Sequence, residues 1–144
     1  MKKILIIQGN PVKESYGEAL AEAYQKGAVS TGAEVKSLRL ANLDFNPNLA
    51  GGYKNKPQLE DDLILAQQLL KGRSARLIVT MDSPYWYYSL VQGKPGHRMM
   101  KKSTLQFCGI SPVKITTLSQ VGKADDEKRK RWLRTVNQLG KQLR

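Results

Sequence analysis

Ser15 and Glu18 stand three residues apart, the spacing of a helix-capping box, at the end of the run KKILIIQGNPVKESYGE that fills residues 2–18. At that spacing a serine hydroxyl accepts from the open backbone N–H groups of a first helical turn, while the glutamate reaches back toward the N–H groups before it. Four consecutive aliphatics, Ile4, Leu5, Ile6 and Ile7, precede them and read as a strand covered on both faces. Gly9, Asn10 and Pro11 end that strand. A strand feeding a helix through such a loop offers free N–H groups and the positive end of a helix dipole, which together suit a phosphate or another anion. The same residues also make an ordinary strand-to-helix turn with a good cap, and both readings stay open.

Other chemistries find little support. One histidine, His97, and one cysteine, Cys108, are too few for a metal centre of the usual His and Cys spacing. Cys108, between Phe107 and Gly109, is expected to be a buried, inert thiol. The adjacent acids Asp61-Asp62 and Asp125-Asp126 fall where helices are expected to begin, and compensation of the helix dipole explains them. Neither G-x-G-x-x-G nor G-x-x-x-x-G-K-S/T occurs.

The elements that must position these residues alternate in kind. Apolar positions after Ser15 recur at helical spacing through Leu20, Ala23 and Tyr24, with Gly32 placed to end the helix. Residues 34–40 read as a second strand, followed by a long loop through residues 41–56 of the kind that carries function in compact domains. Pro57 suits a first helical position, Leu59, Leu63, Ala66, Leu69 and Leu70 form an apolar stripe, and Gly72 closes that helix. Residues 76–81 are a third strand. Pro84 and the cluster Gly93, Pro95 and Gly96 exclude a long regular element after it. Residues 98–107 read as a short basic helix ended by Gly109, residues 113–118 as a fourth strand, and the last helix begins near Asp125, with Trp132, Leu133, Val136, Leu139 and Leu143 on one face. Strands alternating with helices predict an α/β fold, a parallel sheet of about four strands with helices on both faces, in one domain over residues 1–144.

The 144 residues suffice for a single continuous core. No apolar run approaches the roughly 20 residues that span a membrane, and the aliphatic run before Gln8 is too short for a signal peptide, so a cytoplasmic protein is expected. With 24 Lys and Arg against 12 Asp and Glu, the formal net charge of +12 favours anionic partners without choosing among nucleic acid, phosphorylated cofactors and acidic lipid.

Taken together, ILIIQGNPVKESYGEALAEAY, LDFNP, LIVTMDSPYWYYSL with GKPGH, FCGISPVKITTL and the terminal KRWL resemble the flavodoxin-like NAD(P)H dehydrogenase (quinone) family, the relatives of DT-diaphorase. The matches run along nearly the whole chain in the family's order. The resemblance implies a flavodoxin-like fold binding FMN or FAD, an oxidoreductase that passes a hydride from NAD(P)H to a quinone or similar acceptor, and a homodimer if its interface survives. It implies that Asn10, Ser15, Tyr16 and Gly17 hold the flavin phosphate and that Thr80, Met81, Asp82 and Ser83 lie along the isoalloxazine ring. Tyr88 matches a tyrosine near the hydride-transfer site. Pro95 stands where the family has a partner histidine, and His97, two residues on, is either an active-site proton partner or a solvent-facing loop histidine.

One departure bears on all of this. In the family, the helix matching residues 57–71 leads to a further strand, whose Tyr-Pro and Trp-rich loop packs on the flavin ring, and then to a further helix. Here the chain passes from Leu70-Lys71-Gly72 almost directly to the strand at residues 76–81, and no Tyr-Pro-x-x-Trp stretch occurs. Four strands in the order 2-1-3-4 are then expected, with the third strand beside the first. Loss of one stacking face would remove roughly a few kcal/mol of ring contact at about 25 cal/mol per Å², or about one to two orders of magnitude in affinity. The aromatic run Tyr85, Trp86, Tyr87 and Tyr88 either replaces that wall or plugs the core over the shortened sheet. A binding protein that keeps the fold and has lost the chemistry is the alternative. Its working surface, for nucleic acid or another anionic partner, would be the basic residues Lys128 to Arg131, Arg134, Lys141 and Arg144 with His97, Arg98, Lys101 and Lys102, although no nucleic-acid motif accompanies them and a solvated helix face is the simpler reading.

Overall fold

The computed structural model of the chain describes residues 2–45, 58, 60–70 and 73–142. Among these residues four strands form, β1 (Lys3–Gln8), β2 (Glu34–Arg39), β3 (Ala75–Met81) and β4 (Val113–Ser119). Helices α1 (Tyr16–Val29), α2 (Asp61–Leu70), α3 (Pro95–Arg98) and α4 (Asp126–Gln142) lie between and after them, with π-helical stretches at Tyr87–Val91 and Met99–Gln106. The alternation is the expected one, and the regular bounds differ from expectation by only a few residues at most ends. The long loop is described only as far as Phe45, so its later part, Pro57, Leu59 and Gly72 lie outside the described residues.

All strand pairing is parallel, but it comes in two pairs. β1 runs beside β2 from Lys3 opposite Glu34 to Gln8 opposite Arg39. β3 runs beside β4 from Ala75 opposite Val113 to Met81 opposite Ser119. The expected ladder between β1 and β3 is not formed, so the order 2-1-3-4 is corrected to two two-stranded sheets. What sets the position of β3–β4 is the helix layer: Leu20 of α1 and Val136 of α4 share one core with Leu118 of β4, against which Ile78 of β3, Tyr24, Trp132 and Leu133 pack.

That core depends on a close crossing of α1 and α4. A Cβ on Gly27 would overlap the backbone carbonyl of Asn137, and one on Gly140 would overlap that of Tyr24, so the two backbones touch where neither residue has a side chain. Asn137 Nδ2 donates to the Ala23 carbonyl at 2.9 Å, and the Tyr16 hydroxyl donates to the Arg129 carbonyl at 3.1 Å. Asp125 caps the last helix by accepting from the Lys128 N–H at 2.7 Å, as dipole compensation predicts for this acidic pair.

The stretch between β3 and β4 differs from expectation. α3 runs straight into the π-helical segment at Met99–Gln106, whose outer residues Met99 (65 % exposed) and Phe107 (86 %) stand off the body. Cys108 follows them and is exposed, which overturns the buried thiol; the chain returns to the core only at Ile110.

The helix crossing makes a prediction. Gly27→Ala and Gly140→Ala should each destabilise the fold by about 1–3 kcal/mol through overpacking, despite the roughly 1 kcal/mol by which alanine favours a helix. Gly9→Ala, where a Cβ meets open space, should stay within about 0.5 kcal/mol of the parent. Urea denaturation midpoints of the three variants check it.

Candidate functional site

The loop between β1 and α1 is built by three polar side chains. Asn10 Oδ1 accepts from the Val12 N–H at 3.0 Å and turns the chain at the strand's end. Ser15 Oγ accepts from the Glu18 N–H at 3.3 Å, the expected cap. Glu18 reaches back as the capping box requires, but to the Glu14 N–H, at 2.8 Å, because Glu14 adopts a left-handed conformation (φ 56°) that turns its amide inward. The other oxygen of the same carboxylate pairs with Arg39 at the end of β2.

This leaves an anion cradle with its donors unclaimed. Among the described residues nothing accepts from the backbone N–H groups of Tyr16 and Gly17, the first two of α1. A Cβ on Gly17 would lie 3.6 Å from Ser15 Oγ and 3.7 Å from Asn10 Nδ2, so the space between these groups is open only because residue 17 has no side chain. Glu18 is the one acid of the first turn, and its pairing with Arg39 removes most of the repulsion it would exert on an anion there. The Tyr16 hydroxyl is turned away, to the Arg129 carbonyl, so from Tyr16 the loop can use only the backbone.

The second candidate stretch, Thr80 to Ser83, closes β3. Asp82 Oδ1 accepts from the Gly122 N–H at 2.7 Å and the Met81 carbonyl accepts from the Val121 N–H at 3.2 Å, so the loops after β3 and β4 are tied together. Asp82 therefore acts on neighbouring backbone. The aromatic run that follows is not a core plug: Tyr85, Trp86 and Tyr87 are 42 %, 62 % and 40 % exposed, with Lys94 Nζ 5.2 Å from the Tyr85 ring centre.

Tyr88 and His97 come together. Their rings meet edge to face with centres 5.0 Å apart, and the Tyr88 hydroxyl accepts from the His97 backbone N–H at 3.1 Å. His97 is buried, with Nε2 3.5 Å from the Thr117 hydroxyl of β4, so it is not a solvent-facing loop residue. Burial, then the Lys94 charge, holds its imidazole below the ordinary value of 6.5. A neutral imidazole beside a hydroxyl can hold or accept a proton at Nε2, and the Tyr88 oxygen, already an acceptor, keeps its own proton to donate.

Three residues of these arrangements carried no local signal. Arg39, Thr117 and Gly122 reach Glu18, His97 and Asp82 across 20 or more positions, and only the strand register brings them there. The basic run on α4 is partly engaged within the fold: Lys130 pairs with Glu127 at 3.3 Å, Lys128 Nζ lies 5.2 Å from the Trp132 ring centre, and Arg129 donates to the Val121 carbonyl at 3.4 Å. Among the described residues no group of three or more His, Cys, Asp or Glu could hold a metal ion, and no helix is long and apolar enough to cross a membrane.

His97 gives a pH dependence with a definite sign. Its folded-state affinity for a proton is lowered, so as pH falls the unfolded chain takes up that proton first, and the stability present above the ordinary value of 6.5 is lost as pH drops toward the lowered folded one. Urea midpoints should fall from pH 7.5 to pH 5.5, and His97→Phe should show a smaller fall over the same interval.

No family model matches the chain, and no curated protein matches it. Among solved structures, Smu.1420 from Streptococcus mutans UA159 is similar with a TM-score of 0.82 at 21% identity, over 97% of this chain and 99% of that one. The NAD(P)H:quinone oxidoreductase from Methanothermobacter marburgensis is similar with a TM-score of 0.81 at 14% identity, over 98% of this chain and 95% of that one. At these identities the likeness is one of fold, and the fold is the flavodoxin-like α/β arrangement that the sequence resemblance implied.

Proposed function

We propose that the chain is a flavin-dependent NAD(P)H oxidoreductase that uses a quinone or similar acceptor. The observation that carries this reading is the cradle at the start of α1, where the free N–H groups of Tyr16 and Gly17 sit beside Asn10 and Ser15 in a space that a Cβ would fill. A phosphate suits this place by charge, because the donors are backbone, the helix dipole favours an anion and the one nearby carboxylate is already neutralised by Arg39. The resemblance gives these positions to the flavin phosphate, and the quinone oxidoreductase of the same fold supports the class of reaction.

When bound, FMN or FAD would accept a hydride from NAD(P)H and hand it to the acceptor. The chain's own residues do simpler work. Asn10, Ser15, Tyr16 and Gly17 bind and orient the phosphate end. Thr80 to Ser83, held by the Asp82–Gly122 bond, offer a fixed edge at the end of β3. The rings of Tyr85, Trp86 and Tyr87 are exposed and would offer faces for stacking, and Tyr88 with His97 would supply or hold a proton at the Tyr88 oxygen and at His97 Nε2. Dimerisation belongs to the same proposal on the resemblance alone, and a cytoplasmic setting on the sequence reading.

The purified protein, given FMN or FAD and desalted, should keep a visible flavin band and then oxidise NADH or NADPH with a quinone. Gly17→Val, which fills the cradle, should weaken flavin binding by about tenfold or more, in line with the roughly 1–3 kcal/mol cost of overpacking, and leave the circular dichroism unchanged. A folded parent that retains no flavin and oxidises no reduced nicotinamide would end the proposal.

A further inference from the structure

We infer that the gap between β1 and β3 is an acceptor site for one extended peptide strand, apolar in its middle and acidic at its N-terminal end. The inference rests on the open strand edges and is independent of flavin binding. In a parallel pair alternate residues turn both backbone groups toward the same neighbour. The Glu34 N–H donates to the Lys2 carbonyl at 2.9 Å, so the even residues of β1 face β2, and Leu5 and Ile7 face the other way. The Ala75 N–H donates to the Pro112 carbonyl at 3.0 Å and Met81 accepts from Val121, so the odd residues of β3 face β4, and Ile78 and Thr80 face away from it.

Among the described residues no strand pairs with either of these edges, and both look into one gap. Arg73, just before β3, sends its guanidinium to the Lys3 carbonyl on the open side of β1, at 3.2 Å. An arginine side chain reaches about 7 Å from its Cα, so the two strands start no more than about 10 Å apart, or roughly two ladder spacings. No ladder joins β1 to β3, so they stand more than one ladder spacing apart, and a separation of up to about 10 Å leaves room for one strand between them.

The side chains agree. β1 and β3 are the most apolar strands of the chain, yet neither contains a buried residue, whereas β2 buries Leu38 and β4 buries Val113 and Leu118. Ile7 is 42 % exposed. Parallel strands of this composition are normally covered on every side, so a further strand would satisfy both the open backbone groups and the exposed aliphatics.

The occupant must have two free edges. Every described strand of this chain already has a partner, so none in a second copy could enter without breaking its own pair. An extended peptide has no such cost and adds by the main-chain bonding of strand addition. β-Branched apolar residues suit its middle, and Arg73 at the start of the gap favours an acid at its first position, Lys3 beside it being paired with Glu34 at 3.9 Å.

The probes are acetyl-Asp-Val-Ile-Val-Ile-Ser-Ser-amide, the same peptide with lysine in first place, and the same peptide with proline in place of both isoleucines, each titrated into the full chain and followed by amide hydrogen exchange. The first should bind one to one and slow exchange at Leu5, Ile7, Ile78 and Thr80 by about tenfold or more, and the proline peptide, lacking the donors, should do neither. The lysine peptide should bind about threefold more weakly, a preference that Arg73→Glu reverses. Unchanged exchange at these four amides, equal binding of the proline peptide, or protection that grows with protein concentration when no peptide is present, would each overturn the inference, the last because a second copy would then be closing the edge.

Discussion

The close passage of α1 over α4 is the contact on which the rest of the structure depends. With no ladder between the two strand pairs, main-chain hydrogen bonds do not hold β1–β2 against β3–β4. The link is made instead where Gly27 and Gly140 let two backbones touch, and around that point by Leu20, Val136 and Leu118. Buried apolar side chains and a few side-chain hydrogen bonds, from Asn137, Tyr16 and Arg73, therefore do what continuous sheet pairing does in most parallel α/β folds. It follows that the candidate site, which draws on loops after both β1 and β3, keeps its shape only as long as these two helices stay in register.

The electrostatics of the site follow from a few local pairings within a strongly basic protein. A net charge of +12 draws anions toward the whole surface, but the first turn of α1 carries an acid that would repel them. Arg39 removes that objection while the same carboxylate fixes the loop through Glu14. A single side chain thus shapes the cradle and has its charge masked by a residue from the neighbouring strand. His97 is governed by burial more than by charge: the Tyr88 ring and hydroxyl hold it against β4, and burial disfavours its protonated form.

Local grammar was legible in the sequence. The continuous aliphatics of β1, the Ser15 cap, the Asp125 cap and the apolar face of α4 each produced the expected element, because each depends on residues within a turn or two of one another. Pairing across the molecule was not. The reading that seated β3 beside β1 followed from strand count and resemblance, while the observed separation is decided by helix packing between residues far apart in the chain. Cys108 was placed inside on the strength of its residue type and its neighbours, but its segment ends by standing away from the body before Ile110 returns. Of the candidate site residues, Asn10, Ser15, Tyr16 and Gly17 fall in one loop as adjacent positions must, whereas the meeting of Tyr88 with His97 needed a π-helical turn and a short helix that the Gly and Pro cluster around residue 95 did not announce.

The bonds that join α1 to α4 connect residues 113 and 114 positions apart, from Tyr16 to Arg129 and from Ala23 to Asn137. As the chain emerges from a ribosome, β1, α1 and β2 can form early and pair with one another, but the apolar side of α1 has no lasting cover until α4 has been made. Leu20 finds its full cover only when Val136 joins Leu118 around it, and closing so long a loop is slow compared with forming either helix. Until α4 is made, the apolar side of α1 is therefore a surface on which the nascent chain is open to wrong contacts.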